Sequence, residues 1–152
     1  MTHSITLQSI SMDAALEIAR LSIEHAHTEK MAPIAVAVLD IRGVLKAYLA
    51  ADGTSLLRYE IAFAKAWSAL GMGFGTRELE RRASKMPIFF SNLQALTQGK
   101  MPAVAGGLLI RNSEGQVLGA VGISGDTSSN DEICAVTAIK QLGLVADHGD
   151  PQ

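Results

Sequence analysis

Lys65 interrupts an apolar helical run, with Ile61-Ala62-Phe63-Ala64 before it and Ala66-Trp67-Ser68-Ala69-Leu70 after it. An ammonium in such surroundings is short of water, which makes it a candidate for proton transfer or for holding an anion. Arg58 lies seven residues earlier on the same helical face, with the small Ala62 between them. Together the two cations could grip a carboxylate or propionate, Arg58 by a forked contact and Lys65 as a point charge. The same spacing also suits a solvated stripe whose stems cover apolar neighbours. Asp131, near the start of the last helix, is the other candidate for moving a proton. In a small enzyme acting on a carboxylate metabolite, Lys65 or Asp131 would transfer the proton while Arg58 held the substrate.

The four histidines are His3, His25, His27 and His148. His25 and His27 point about 200° apart on a helix, so they cannot share one ion there. One cysteine and four scattered histidines do not make a tetrahedral set, so no structural zinc is expected. A single histidine can still ligate haem iron, and His25 is the choice if one does. Cys134 lies in the apolar stretch Ile133-Cys134-Ala135-Val136 with no cation beside it, and reads as a buried thiol.

Gly106-Gly107 and Gly119-Ala120-Val121-Gly122-Ile123-Ser124-Gly125 place bare backbone in or beside strands, where glycine weakens a sheet unless something must approach closely. A helix, a neighbouring subunit or a ligand would fit. Gly106, Gly107, Ser124 and Gly125 therefore join Arg58, Lys65 and His25 as candidate ligand contacts. Ser124 follows Ile123 and lacks the spacing of a hydrolase nucleophile elbow. Asp126, Asp131 and Glu132 bring negative charge to the helix start that follows, which argues against a phosphate cradle. No Walker loop supports a nucleotide site either.

The elements that must position these residues are legible from periodicity. Ile5 to Gln8 alternates weakly and reads as a short strand. Ser11 can cap a helix from Met12 to about Glu29 with Leu16, Ala19, Ile23 and Ala26 as its buried stripe. Pro33 stops any continuation, and Ile34 to Leu39 is an apolar run of strand length. Asp40-Ile41-Arg42-Gly43 and Asn112-Ser113-Glu114-Gly115 each place an Asx residue and, four positions in, a glycine between strand-like runs, which closes two antiparallel hairpins. Between them, a helix from Ser55 to about Leu70 has Leu57, Ile61, Ala64 and Trp67 on one face. Thr76 can cap a short charged helix, Pro87 suits the first turn of another, and Ser129-Asn130-Asp131-Glu132 reads as a capping box for the last. Ala146 to Gln152 is polar and expected to fray. Two hairpins and the N-terminal strand give a five-stranded, largely antiparallel sheet flanked by helices, an α+β fold over residues 4–145.

Apolar residues make up 48% of the 152 and charged ones 18%, against roughly 25% charged in an average domain, so extra buried surface is implied. A net charge of −2 provides no basic field for nucleic acid or an anionic membrane. No stretch of about 18 apolar residues occurs, and the N-terminus lacks an export signal, so a cytoplasmic protein is expected.

Val38-Leu39-Asp40-x-x-Gly43-x-Leu45, Asp52-Gly53-Thr54 leading to Ile61-Ala62-x-x-Lys65-Ala66, then Gly106-Gly107, and Gly119-Ala120-Val121-Gly122-Ile123-Ser124-Gly125-x-x-x-x-x-Asp131-Glu132 resemble the GlcG/HbpS-like proteins, from the first helix to the last. That family is often labelled haem-degrading and includes the C-terminal domain of PduO-type proteins. The resemblance implies a profilin-like sheet with flanking helices, a haem or related tetrapyrrole as small-molecule ligand, and a homo-oligomer. It favours a cytoplasmic haem- or tetrapyrrole-binding accessory protein over the carboxylate-metabolite enzyme. The segment from Gly73 to Met101 departs from the family's pattern, notably at Lys85-Met86-Pro87-Ile88-Phe89-Phe90. Edge protection and small residues suggest where subunits would meet: the N-terminal strand guards one sheet edge, while Ala103 to Gly107 and Ala64, Ala66, Ala69, Gly71 and Gly73 permit close approach.

Overall fold

Ala35–Asp40 (β1) is buried along its whole length, as an apolar run must be when helices cover both faces of a sheet. The computed structural model describes residues 3–150. A helix, Met12–Thr28 (α1), precedes β1, and Leu45–Ala50 (β2) follows it. Leu57–Met72 (α2), Thr76–Lys85 (α3) and Pro87–Leu96 (α4) form the helical middle. Gly107–Arg111 (β3), Val117–Ser124 (β4), Ser128–Gln141 (α5) and Val145–Asp147 (β5) complete the chain. The result is an α+β fold on a five-stranded sheet of order β2-β1-β4-β3-β5, with every neighbouring pair antiparallel.

Both hairpins form where the Asx-to-glycine turns predict them. Gly43 has φ +82° and donates to the Asp40 carbonyl at 2.9 Å; Gly115 has φ +82° and donates to that of Asn112 at 3.0 Å. The fifth strand lies elsewhere. Ile5 to Gln8 forms no strand, and the edge beside β3 is taken by β5, from the end of the chain. Ala146 is 4% exposed, and Arg111 pairs with Asp147 at 2.9 Å, so the tail expected to fray is built into the sheet as far as Asp147, and residues 151–152 lie outside the described ones.

The sheet separates two layers. On one face α1 and α5 pack with Val36, Val38, Leu108, Ile110, Val121 and Ile123; on the other, Ala62, Ala66 and Ala69 of α2 meet Ala35, Ala37, Leu39, Leu109 and Ala120. Apart from Lys65, the buried stripe of α2 is thus made of small residues, while Leu57 is 64% exposed. Glycine explains the rotation. A Cβ on Gly122 would lie 1.9 Å from the Ala62 carbonyl oxygen, and one on Gly107 would lie 2.3 Å from that of Lys65. The helix rests directly on the strands, so only short side chains fit beneath it. The candidate subunit contacts Ala66 and Ala69 are therefore consumed inside one chain, as are Ala105, Gly106 and Gly107.

Of the expected helix caps, one forms and two are replaced. Ser11 caps α1, accepting from the Ala14 N–H at 3.1 Å, but the buried stripe is Ala15, Ile18, Ala19, Ser22 and Ala26, and Leu16 faces out. Thr76 is the first residue of α3; its hydroxyl instead accepts from the Gly107 N–H at 2.8 Å, joining α3 to β3. Thr127, not Ser129, caps α5, which frees Glu132 to accept from Arg77 at 2.9 Å.

Candidate functional site

Lys65 leaves α2 toward the end of the sheet where β3 begins and β4 ends. Its side chain passes over Gly106, where a Cβ would stand 2.8 Å from Nζ; the φ of +115° at Gly106 is a second reason for glycine there. Nζ donates to the Ile123 carbonyl at 2.8 Å and to Asp131 Oδ2 at 3.3 Å, with Lys65 3% and Asp131 1% exposed. Asp131 stands in the first turn of α5, so the pair joins helices from opposite faces of the sheet. Its other oxygen accepts from the Asp126 N–H at 3.0 Å.

Burial lowers the Lys65 pKa, against the pull of Asp131, and raises that of Asp131, against the pull of Lys65. Arg58 adds a smaller repulsion on Lys65. Arg58 is half-buried, and one of its guanidinium nitrogens, Nη1, donates to the Ser124 hydroxyl at 3.2 Å. Among the described residues no carboxylate lies within ion-pair distance of Arg58. Gly125 brings the loop after β4 against the segment before β1: a Cβ there would be 2.2 Å from the Pro33 carbonyl oxygen.

The structure thus gathers Arg58, Lys65, Ser124, Gly106, Gly107, Gly125 and Asp131 at one end of the sheet, with Arg58 on Ser124 and Lys65 on Asp131. Lys65 spends its charge on Asp131. His25 is on the opposite layer, half-buried beside Leu21, Thr28, Thr137 and Gln141 at a hollow of about 150 Å³. His27 opens instead onto the larger feature, a groove of about 620 Å³ bounded by Ile23, Ala26, Met31, Ala32, Pro33, Ile34 and Ala51. Arg20, Glu24 and Asp52 stand around it. Arg20 is held by Glu17 at 2.6 Å and by Glu24 at 2.7 Å.

This groove was readable only in part from sequence. Ile23 and His27 are four apart on α1 and so share a face, but the opposite wall comes from the segment after the helix and from the residues that follow β2. The cleft is mainly apolar, with the His27 imidazole, Arg20, Glu24 and Asp52 as its polar groups.

The profile of the family described as haem degrading protein HbpS-like matches residues 10–140. The chain belongs to this family. As an HbpS-like protein it is 28% identical over 136 residues to the corrinoid adenosyltransferase PduO of Citrobacter freundii, covering 90% of this chain and 40% of that protein. It therefore spans about two fifths of that relative's length. A crystal structure of a PduOC:heme complex superposes with TM-score 0.80 at 27% identity, covering 90% of this chain and 96% of the other. The crystal structure of HbpS gives TM-score 0.80 at 26% identity, covering 93% and 95%.

Proposed function

We propose that this HbpS-like chain is a cytoplasmic haem- or tetrapyrrole-binding accessory protein whose ligand lies in the groove beside His27. The observation that carries the reading is the groove itself: its volume of about 620 Å³ falls within the roughly 300–1,000 Å³ typical of small-molecule sites, and its walls are mainly apolar. Haem held there would supply an iron able to take a histidine nitrogen as ligand. His27 would offer that nitrogen, and the apolar Ile23, Met31 and Pro33 would shield the ligand from water. Arg20 at the rim can turn from Glu24 toward a propionate. The haem complex of the similar PduOC supports the ligand class.

No helix among the described residues is long and apolar enough to cross a membrane. The exposed Met86, Ile88, Phe89 and Leu96 of the α4 region support a homo-oligomer in which a second copy covers that face.

Hemin titration tests the site. The expected result is a saturable Soret band whose position changes in His27→Ala and is retained in His25→Ala. A wild-type protein without saturable binding would remove the haem reading, and a dependence on His25 alone would move the ligand to the α1–α5 hollow.

A further inference from the structure

The groove's outer wall is held by residues far away in sequence. Met31, Ala32, Pro33 and Ile34 form it, yet they follow α1 at a turn where Lys30 has φ +56°, a conformation that a lysine rarely adopts. Something must keep that segment in place. The Ala32 N–H donates to Asp126 Oδ2 at 2.7 Å, while Asp126 Oδ1 accepts from the Thr127 N–H at 2.7 Å and from the Asn130 amide at 2.8 Å. The Asp126 N–H is itself fixed on Asp131 Oδ1, and Asp131 Oδ2 faces Lys65 Nζ. A continuous set of polar contacts therefore runs from the buried ion pair to the groove wall. Two further contacts press the wall home: Cys134 Sγ lies 3.6 Å from Met31 Sδ, and Pro33 sits against the bare backbone of Gly125.

We propose that Asp126 is a positioning residue for the groove, latching the Met31–Ile34 wall, and that the Lys65–Asp131 pair sets the latch by orienting Asp126. This gives a role to the buried pair that needs no contact with ligand. It also accounts for two residues 66 positions apart meeting beside the loop that carries Asp126. That the latched wall serves a tetrapyrrole rests on the reading of the groove given above; the latch itself does not.

The two claims separate experimentally because Cys134 reports on the wall without any ligand. It is fully buried, and Met31 covers its sulfur. In ligand-free protein, Asp126→Ala should speed reaction of this thiol with Ellman's reagent at least tenfold while far-UV circular dichroism stays unchanged. Ala32→Pro, which removes the donor without touching Asp126, should do the same, and Asp126→Asn, which keeps one acceptor oxygen, should fall between. In hemin titrations Asp126→Ala should weaken binding about tenfold with the Soret position unmoved, whereas His27→Ala should move the Soret band and leave thiol reactivity as in wild type. Unchanged thiol reactivity in both Asp126→Ala and Ala32→Pro overturns the latch. Faster thiol reaction with unchanged hemin affinity overturns the positioning role, and faster thiol reaction in a protein that never binds hemin upholds the latch while sinking the haem reading.

Discussion

Lys65 on α2 and Asp131 on α5 meet at 3.3 Å across the end of the sheet, although the two helices lie on its opposite faces. Neither group is left without a partner: among the described residues no buried side-chain nitrogen or oxygen lacks a hydrogen bond. Both shifts nevertheless run against the charged forms, because burial dominates each. The pair joins the two layers, and the desolvation of both charges offsets its attraction.

Removing one member should therefore hurt more than removing both. Lys65→Met is expected to cost about 3–5 kcal/mol by leaving Asp131 buried and unpaired, whereas adding Asp131→Leu to it should recover part of that loss. Urea denaturation of the four proteins of the cycle measures the coupling. Strictly additive costs would mean that the two side chains do not interact.

Two glycines should behave oppositely. Gly122→Ala drives a methyl into the Ala62 carbonyl and should lift α2 from the sheet, at a cost of several kcal/mol or outright failure to fold. Gly71→Ala meets nothing within 4 Å, lies inside α2 and should stabilise the protein by about 0.5–1 kcal/mol. Thermal melts of the purified variants decide both. A well-folded Gly122→Ala would show that the helix does not rest on the strand.

The β1–β2 turn should give stability that depends on acid. Burial pushes the Asp40 carboxyl up, but the Arg42 side chain and the N–H groups of Val44 and Arg42 more than offset this, so its pKa lies below the usual 3.8. A depressed carboxyl contributes stability above its unfolded-state pKa and loses it as pH falls through the folded value. Asp40→Asn should cost about 1–2 kcal/mol at neutral pH, and the gap to wild type should narrow below pH 3.8. Urea midpoints of both proteins at neutral pH and at about pH 2.5 test the sign. A gap that widens in acid would reverse it.

Assembly should run through α4. Light scattering at micromolar concentration is expected to report a mass well above the 16.0 kDa of one chain, and Phe89→Lys with Ile88→Glu should reduce it to the monomer. A wild-type monomer would refute the oligomer; an assembly untouched by the double change would place the contact on another surface.

The two hairpins, the Ser11 cap, the central apolar strand and the family motifs were determined by local sequence, because each depends on residues a few positions apart whose backbone preferences agree. Lys65, Asp131, Arg58 and the glycines were also legible as special, since a cation in an apolar helix and bare backbone in a strand conflict with their surroundings. Their partners were not. That Lys65 Nζ meets Asp131 depends on how far α2 sinks onto Gly107 and Gly122, a distance set by packing between layers. The same holds for β5 displacing the N-terminal segment from the sheet edge, where Arg111 and Asp147 pair across strands distant in sequence. His27 rather than His25 faces the groove because the wall from Met31 to Ile34 folds back against Asp126, more than 90 residues away. Short-range preferences chose the elements, and long-range close packing and burial of charge chose which side chains meet.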